Sequence, residues 1–124
     1  MPIPLFFLEK VNIYLYLKYL YIYLYTYLES RFHIPFLETS TEVLRAIAHP
    51  IRIAIIDLLK EGKLSVTEIH QRLKIEQAIA SHHLRILKDK RILTAQRDGK
   101  NTYYSLRSEE FAHILNSLES LLTG

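Results

Sequence analysis

Cysteine is absent from this 124-residue chain, and glycine occurs only three times. The first absence excludes a disulfide framework, a thiolate metal site and a cysteine nucleophile, and it suits a cytoplasmic protein. With so little glycine there is no phosphate-cradling loop. Neither a G-x-S-x-G turn nor a paired-carboxylate motif occurs, so the chain reads as something other than an enzyme. Ser81 beside His82 places a hydroxyl next to an imidazole. Without a third group and an oxyanion site, that is a coincidence of helix surface.

What is present is a chain with room for one domain, 49% hydrophobic and 23% charged, which fits a globular core. Formal net charge is only +3, yet Arg85, Lys88, Lys90, Arg91, Arg97 and Lys100 crowd one stretch in which Asp89 and Asp98 are the only acids. Local density matters more than net charge, because phosphates feel fields within a Debye length of ~8 to 10 Å.

Composition changes near Pro35. Before it, Val11 to Leu28 alternates tyrosine with aliphatic residues in a low-complexity tract. A membrane span needs about 20 predominantly apolar residues. Lys18 and Thr26 inside the tract, and the preference of tyrosine for the interface, count against one. A signal peptide needs a positive start and a small-residue cleavage site, and neither is present. Two readings stay open: a folded arm, either a strand with Tyr19, Tyr21, Tyr23, Tyr25 and Tyr27 on one face or an extension of a dimer helix, and a start codon set too far upstream. Residues 1–36 are therefore set apart as an extension of uncertain structure from a domain at 37–124.

Within that domain, Thr39 and Glu42 fit a capping box, which predicts a first helix over about 40–48 carrying Val43, Leu44 and Ile47. His49-Pro50 interrupts it and opens a second, running to about Lys60 with Ile51, Ile55, Leu58 and Leu59 inward, Asp57 and Lys60 in solvent, and Gly62 as the stop. Ser65 and Glu68 form another capping box for a short third helix bearing Val66, Ile69 and Leu73. Lys74-Ile75 is a turn. A fourth helix over about 76–89 places Ile79 or Ala80, His83, Leu84 and Leu87 inward, and Gln77, Ala78, Ser81, His82 and Arg85 outward. His83 is expected at the helix-to-helix contact with a hydrogen bond.

From Leu93 the period changes to two, and Asp98-Gly99 signals a hairpin between strands at about 93–97 and 102–106. Ser108 can cap a last helix whose Glu109 and Glu110 suit the positive end of the dipole. Its stripe of Phe111, Ile114, Leu115, Leu118, Leu121 and Leu122 exceeds what one small core needs, so part of it is expected to meet a second subunit. The fold class is mainly α with a small β-hairpin (α+β), in the order α-α-α-α-β-β-α: a winged helix-turn-helix, dimeric.

From about Leu37 to Leu122 the chain resembles the ArsR/SmtB family of bacterial winged-helix repressors. The match is carried by L-R-A-I-A-H-P-I-R-I-A-I-I-D-L-L (Leu44 to Leu59), A-S-H-H-L-R-I-L-K (Ala80 to Lys88) and R-D-G-K-N-T-Y-Y-S-L (Arg97 to Leu106). The resemblance implies a homodimer built from the first and last helices, with Leu44 and Ile47 joining the last-helix stripe at the interface. It also implies binding to an inverted repeat, with release when an inducer binds. No inducer is named by the sequence.

A recognition helix sets its N-terminal outward residues against base edges in the major groove, here Gln77, Ala78, Ser81 and His82. Gln can pair with adenine, Ser can donate or accept, and an Ala methyl can touch thymine. Arg85 and Lys88 lie further along and hold phosphates, which position without reading sequence. Arg97, Lys100 and Asn101 at the hairpin tip resemble the family's wing, whereas Lys90 and Arg91 need do no more than keep the turn soluble.

Soft-metal sensors of the family carry E-L-C-V-C-D-L at the third helix, where Lys63 to Ile69 here reads K-L-S-V-T-E-I. Hydroxyls are poor ligands for soft metals. The last-helix zinc pattern is reduced to Glu110 and His113, which could meet their symmetry mates across a dimer but lack the downstream ligands, so no metal is assigned. The function expected is a sequence-specific DNA-binding regulator, a repressor acting on a pseudo-palindromic operator as a homodimer. The alternative is a winged-helix protein-interaction module tethered to a membrane through the N-terminal tract.

Overall fold

A computed structural model of the chain describes residues 12–124. Residues 1–11 of the expected extension lie outside the described residues. The chain divides at Ser40 and Thr41 into two compact units, a few residues beyond the expected boundary.

In the first unit, the tyrosine tract is a helix, α1 (Ile13–Phe32), and not a strand. Asn12 caps it, Oδ1 accepting from the N–H groups of Tyr14 at 2.6 Å and Leu15 at 3.2 Å. A lone strand leaves its backbone groups without partners, whereas a helix pairs them within itself. With no glycine or proline between Ile13 and Phe32, no helix breaker interrupts it. His33, at a φ of 58°, ends the run. The next helix, α2 (Ile34–Ile47), starts earlier than the Thr39/Glu42 box implies. Pro35 falls in its first turn, where a missing N–H costs no intrahelical bond, and Phe36 N–H donates to the His33 carbonyl at 2.9 Å.

The second unit continues through α3 (Pro50–Leu58), a 3₁₀ turn at Leu59–Glu61, β1 (Leu64–Ser65), α4 (Val66–Leu73), α5 (Gln77–Asp89), β2 (Leu93–Asp98), β3 (Asn101–Leu106) and α6 (Glu110–Thr123). The expected hairpin is thus part of a three-stranded antiparallel sheet in the order β1-β3-β2. The additional strand pairs Leu64 with Tyr104 and Ser65 with Tyr103. Lys63 Nζ lies 5.2 Å from the centre of the Tyr103 ring and adds a cation–π contact to this short edge.

Several boundaries follow from local chemistry. The Ser65/Glu68 capping box is complete, Ser65 Oγ accepting from Glu68 N–H and Glu68 Oε1 from Ser65 N–H, each at 3.1 Å. Ser108 Oγ accepts from Glu110 N–H at 3.2 Å and steadies the start of α6. In the two-residue loop joining β2 to β3, Gly99 supplies a φ of 62° at the first position, as a type II′ turn requires.

Helices α4 and α5 end without glycine. Lys74 and Arg91 take positive φ, at 55° and 59°. Ile75 N–H then donates to His70 O at 3.1 Å, and Ile92 N–H to Leu87 O at 2.9 Å. With Lys74 N–H on Gln71 O and Arg91 N–H on Lys88 O, both ends are Schellman motifs.

The core gathers one face of every helix of this unit. Ile55, Ile56, Ile69, Leu84, Leu87 and Ile92 are fully buried, with Ile47, Leu59, Leu64, Leu93 and Leu115 packed around them. Each such side chain contributes roughly 1.5–3 kcal/mol over its exposed state.

Candidate nucleic-acid interface

Helix α5 is two-sided by construction. Its Ala80, His83, Leu84 and Leu87 enter the core, which settles the choice between Ile79 and Ala80 in favour of the latter; Ile79 is exposed. The opposite face presents Gln77, Ala78, Ser81 and His82, then Arg85 and Lys88, all exposed. At 1.5 Å per residue this face runs ~16 Å, and a B-DNA major groove is about 12 Å wide. The turn at Lys74 and Ile75 joins α4 to α5, and His70 Nδ1 lies 3.3 Å from Ile75 O across it.

His83 seats α5 against α3. Its ring lies 4.4 Å from that of His49 and 5.1 Å from that of His82, centre to centre. His49 is itself committed: Nδ1 accepts from Ile51 N–H at 3.1 Å and caps α3. The hydrogen bond expected for His83 is not formed. Its Nδ1 is buried without a hydrogen-bond partner among the described residues, as is Arg52 Nε. The His49 and His83 rings meet at a tilt of 37°, and the acceptor nitrogen of His49 is already used on its own helix. Burial, followed by the nearby His49, Arg52 and His82, lowers the His83 pKa from its ordinary value. The ring contact between the A-H-P and S-H-H-L stretches was not visible in the sequence, where the two are separated by a whole helix and turn.

The hairpin carries Arg97, Lys100 and Asn101 at its exposed tip. Arg97 Nε donates to Gly99 O at 3.3 Å, so this side chain also braces the turn. Lys90 is engaged elsewhere, in an ion pair of 3.1 Å with Glu42 that ties the end of α5 to α2.

Of the residues expected at a subunit interface, Ile47 and Leu115 are buried in the protomer's own core and Phe111 and Ile114 are half-buried. Leu44 is 57% exposed, Leu118 43%, Leu121 78% and Leu122 84%. Leu118 and Leu122 line an open groove of about 490 Å³ with Pro50, Ile53 and Ala54 of α3. His113 Nδ1 and Glu110 Oε2 stand 3.3 Å apart on one turn of α6. Among the described residues no three His, Cys, Asp or Glu side chains gather as a metal site, and no helix is long and apolar enough to cross a membrane.

Two helices around a tight turn, the second with a polar face backed by the core, followed by a basic hairpin, define a winged helix-turn-helix. Residues 49–95 match the profile described as "Bacterial regulatory protein, arsR family". The chain is 32% identical over 96 residues to the transcriptional repressor PagR of Bacillus anthracis, covering 77% of this chain and 96% of that one. It is 39% identical over 79 residues to the HTH-type transcriptional repressor SmtB of Mycobacterium tuberculosis, covering 64% of this chain and 58% of that repressor. Among solved structures, the homodimeric winged helix-turn-helix DNA-binding domain of Mb0332 from Mycobacterium bovis superposes with a TM-score of 0.68 at 26% identity, over 75% of this chain and 86% of that one. The chain belongs to the arsR family of bacterial regulatory proteins.

Proposed function

We propose that this protein is a transcriptional repressor that binds a pseudo-palindromic operator in the cytoplasm as a homodimer. The observation that carries it is the division of α5: Ala80, His83, Leu84 and Leu87 fix the helix to the core, while Gln77, Ala78, Ser81 and His82 are left exposed with Arg85 and Lys88 beyond them. Gln77 is suited to a bidentate pair with adenine, Ser81 to either donor or acceptor edges, and Ala78 to a thymine methyl. Arg85 and Lys88 neutralise phosphates, and Arg97, Lys100 and Asn101 follow the wing into the adjoining minor groove. Homodimer formation is supported by the exposed apolar Leu44, Leu118, Leu121 and Leu122, and by the homodimeric M. bovis domain. Repression is supported by the names of the PagR and SmtB relatives.

Binding titrations on an operator duplex and a random duplex test the roles. Gln77→Ala and Ser81→Ala each cost about 1–3 kcal/mol on the operator and little on random DNA, while Lys88→Ala and Lys100→Ala weaken both duplexes alike and lower the salt slope by about 1. Equal losses on both duplexes for the Gln77 and Ser81 variants refute base readout by α5.

A further inference from the structure

Helix α1 is unlike every other helix among the described residues. From Ile13 to Tyr27 every large apolar or aromatic side chain except Tyr16 is exposed. A helix that is apolar all round belongs in a buried setting, and an exposed patch on this scale marks an interaction surface. A helix that lies on a lipid surface carries a strongly basic polar face opposite its apolar one. Here Lys18 is the one cation between Ile13 and Ser30.

The charges single out a face. Lys18 and Glu29 are both exposed, and among the described residues neither has an ion-pair partner within the chain. Their spacing, from position 18 to position 29, is three turns, so they lie within about 20° of one another around the helix and ~16 Å apart along it. That is too far for a pair within one helix, which needs a spacing of three or four residues. Between them on the same face lie Ile22, 54% exposed, and Tyr25, 45% exposed, with the rings of Tyr21 and Tyr25 centred 6.2 Å apart.

This face is complementary to itself in one orientation. When two copies of α1 lie antiparallel about a two-fold axis between Tyr23 and Leu24, Lys18 of each meets Glu29 of the other, and Ile22 of each meets Tyr25 of the other. An isologous contact has this reciprocal form. A parallel pair sets Lys18 against Lys18 and Glu29 against Glu29, which is repulsive. We propose that α1 is a self-association helix that pairs antiparallel with α1 of a second copy of this chain, with reciprocal Lys18–Glu29 ion pairs fixing its register. This contact is independent of the DNA-binding reading, because no residue of α5 or the wing takes part.

Charge reversal in the full-length chain, read by sedimentation equilibrium at low salt, tests it. Lys18→Glu and Glu29→Lys alone each turn both pairs repulsive and raise the dissociation constant about tenfold. The double variant Lys18→Glu/Glu29→Lys restores the wild-type value; in a parallel pair or a merely apolar contact the single reversals change nothing, so there is no loss to restore. Circular dichroism of each variant shows that the helix is retained. Four indistinguishable association constants, or a double variant as weak as the singles, overturn the proposal. So does charge-independent association accompanied by co-sedimentation of the wild-type chain with phosphatidylglycerol vesicles, which assigns α1 to a lipid surface.

Discussion

His83 stands where α5 meets the core, and its lowered pKa bears on how stability responds to acid. Burial first, then His49, Arg52 and His82, lower its pKa. The neutral ring is therefore favoured in the folded chain, and below the ordinary imidazole value of about 6.5 the unfolded chain binds more protons at this position than the folded one. Stability from this residue is complete above that pH and is lost as pH falls from there through the lowered folded value. Denaturant midpoints between pH 7.5 and pH 5 are expected to drop more steeply for the wild type than for His83→Gln, which takes up no proton. Parallel declines contradict the assignment. In the sequence His83 was legible as a packed residue by its helical spacing, but its partner His49 was not, since nothing local says which face of α3 it meets.

At the scale of elements, legibility tracked the range of the interaction. The Ser65/Glu68 box, the Gly62 stop and the Asp98-Gly99 hairpin are local signals, and each marks a boundary in the structure. Strand β1 is two residues long and exists only through its pairing with β3, so no window of sequence could show it. The tyrosine tract left strand and helix both open, because an all-apolar helix has no period to betray it, and the structure takes the helix.

The C-caps of α4 and α5 were hidden for another reason, since Lys74 and Arg91 replace the usual glycine there. A non-glycine residue pays a penalty of about 1–2 kcal/mol in the left-handed region. Lys74→Gly relieves part of it, and thermal or urea unfolding should show a gain of about 0.5–1 kcal/mol with DNA affinity unchanged. A loss of stability shows instead that the lysine side chain holds the turn.

For the whole molecule, the proposed function gives the exposed polar face of α5, the basic hairpin tip and the exposed leucines of α2 and α6 one role: two copies reading two half-sites. An arsR-family chain with this arrangement is expected to place two recognition helices about one helical turn of DNA, 34–36 Å, apart. The affinity of such a dimer falls steeply with salt, by about 0.9 in the logarithmic slope for each phosphate neutralised. That Gln77, Ala78, Ser81 and His82 share the exposed face of α5 was legible from helical phase alone. The partition of the apolar stripe, with Leu115 kept for the core and Leu118, Leu121 and Leu122 left outside, needed the packed structure.

Nuclease protection of the DNA upstream of the protein's own gene tests this most directly. The wild-type chain should protect two patches related by a pseudo-two-fold and separated by about one turn of the duplex, and Gln77→Ala/Ser81→Ala should abolish them while retaining weak binding to any duplex. Uniform protection with no defined site, or a footprint that survives that double substitution unchanged, contradicts it.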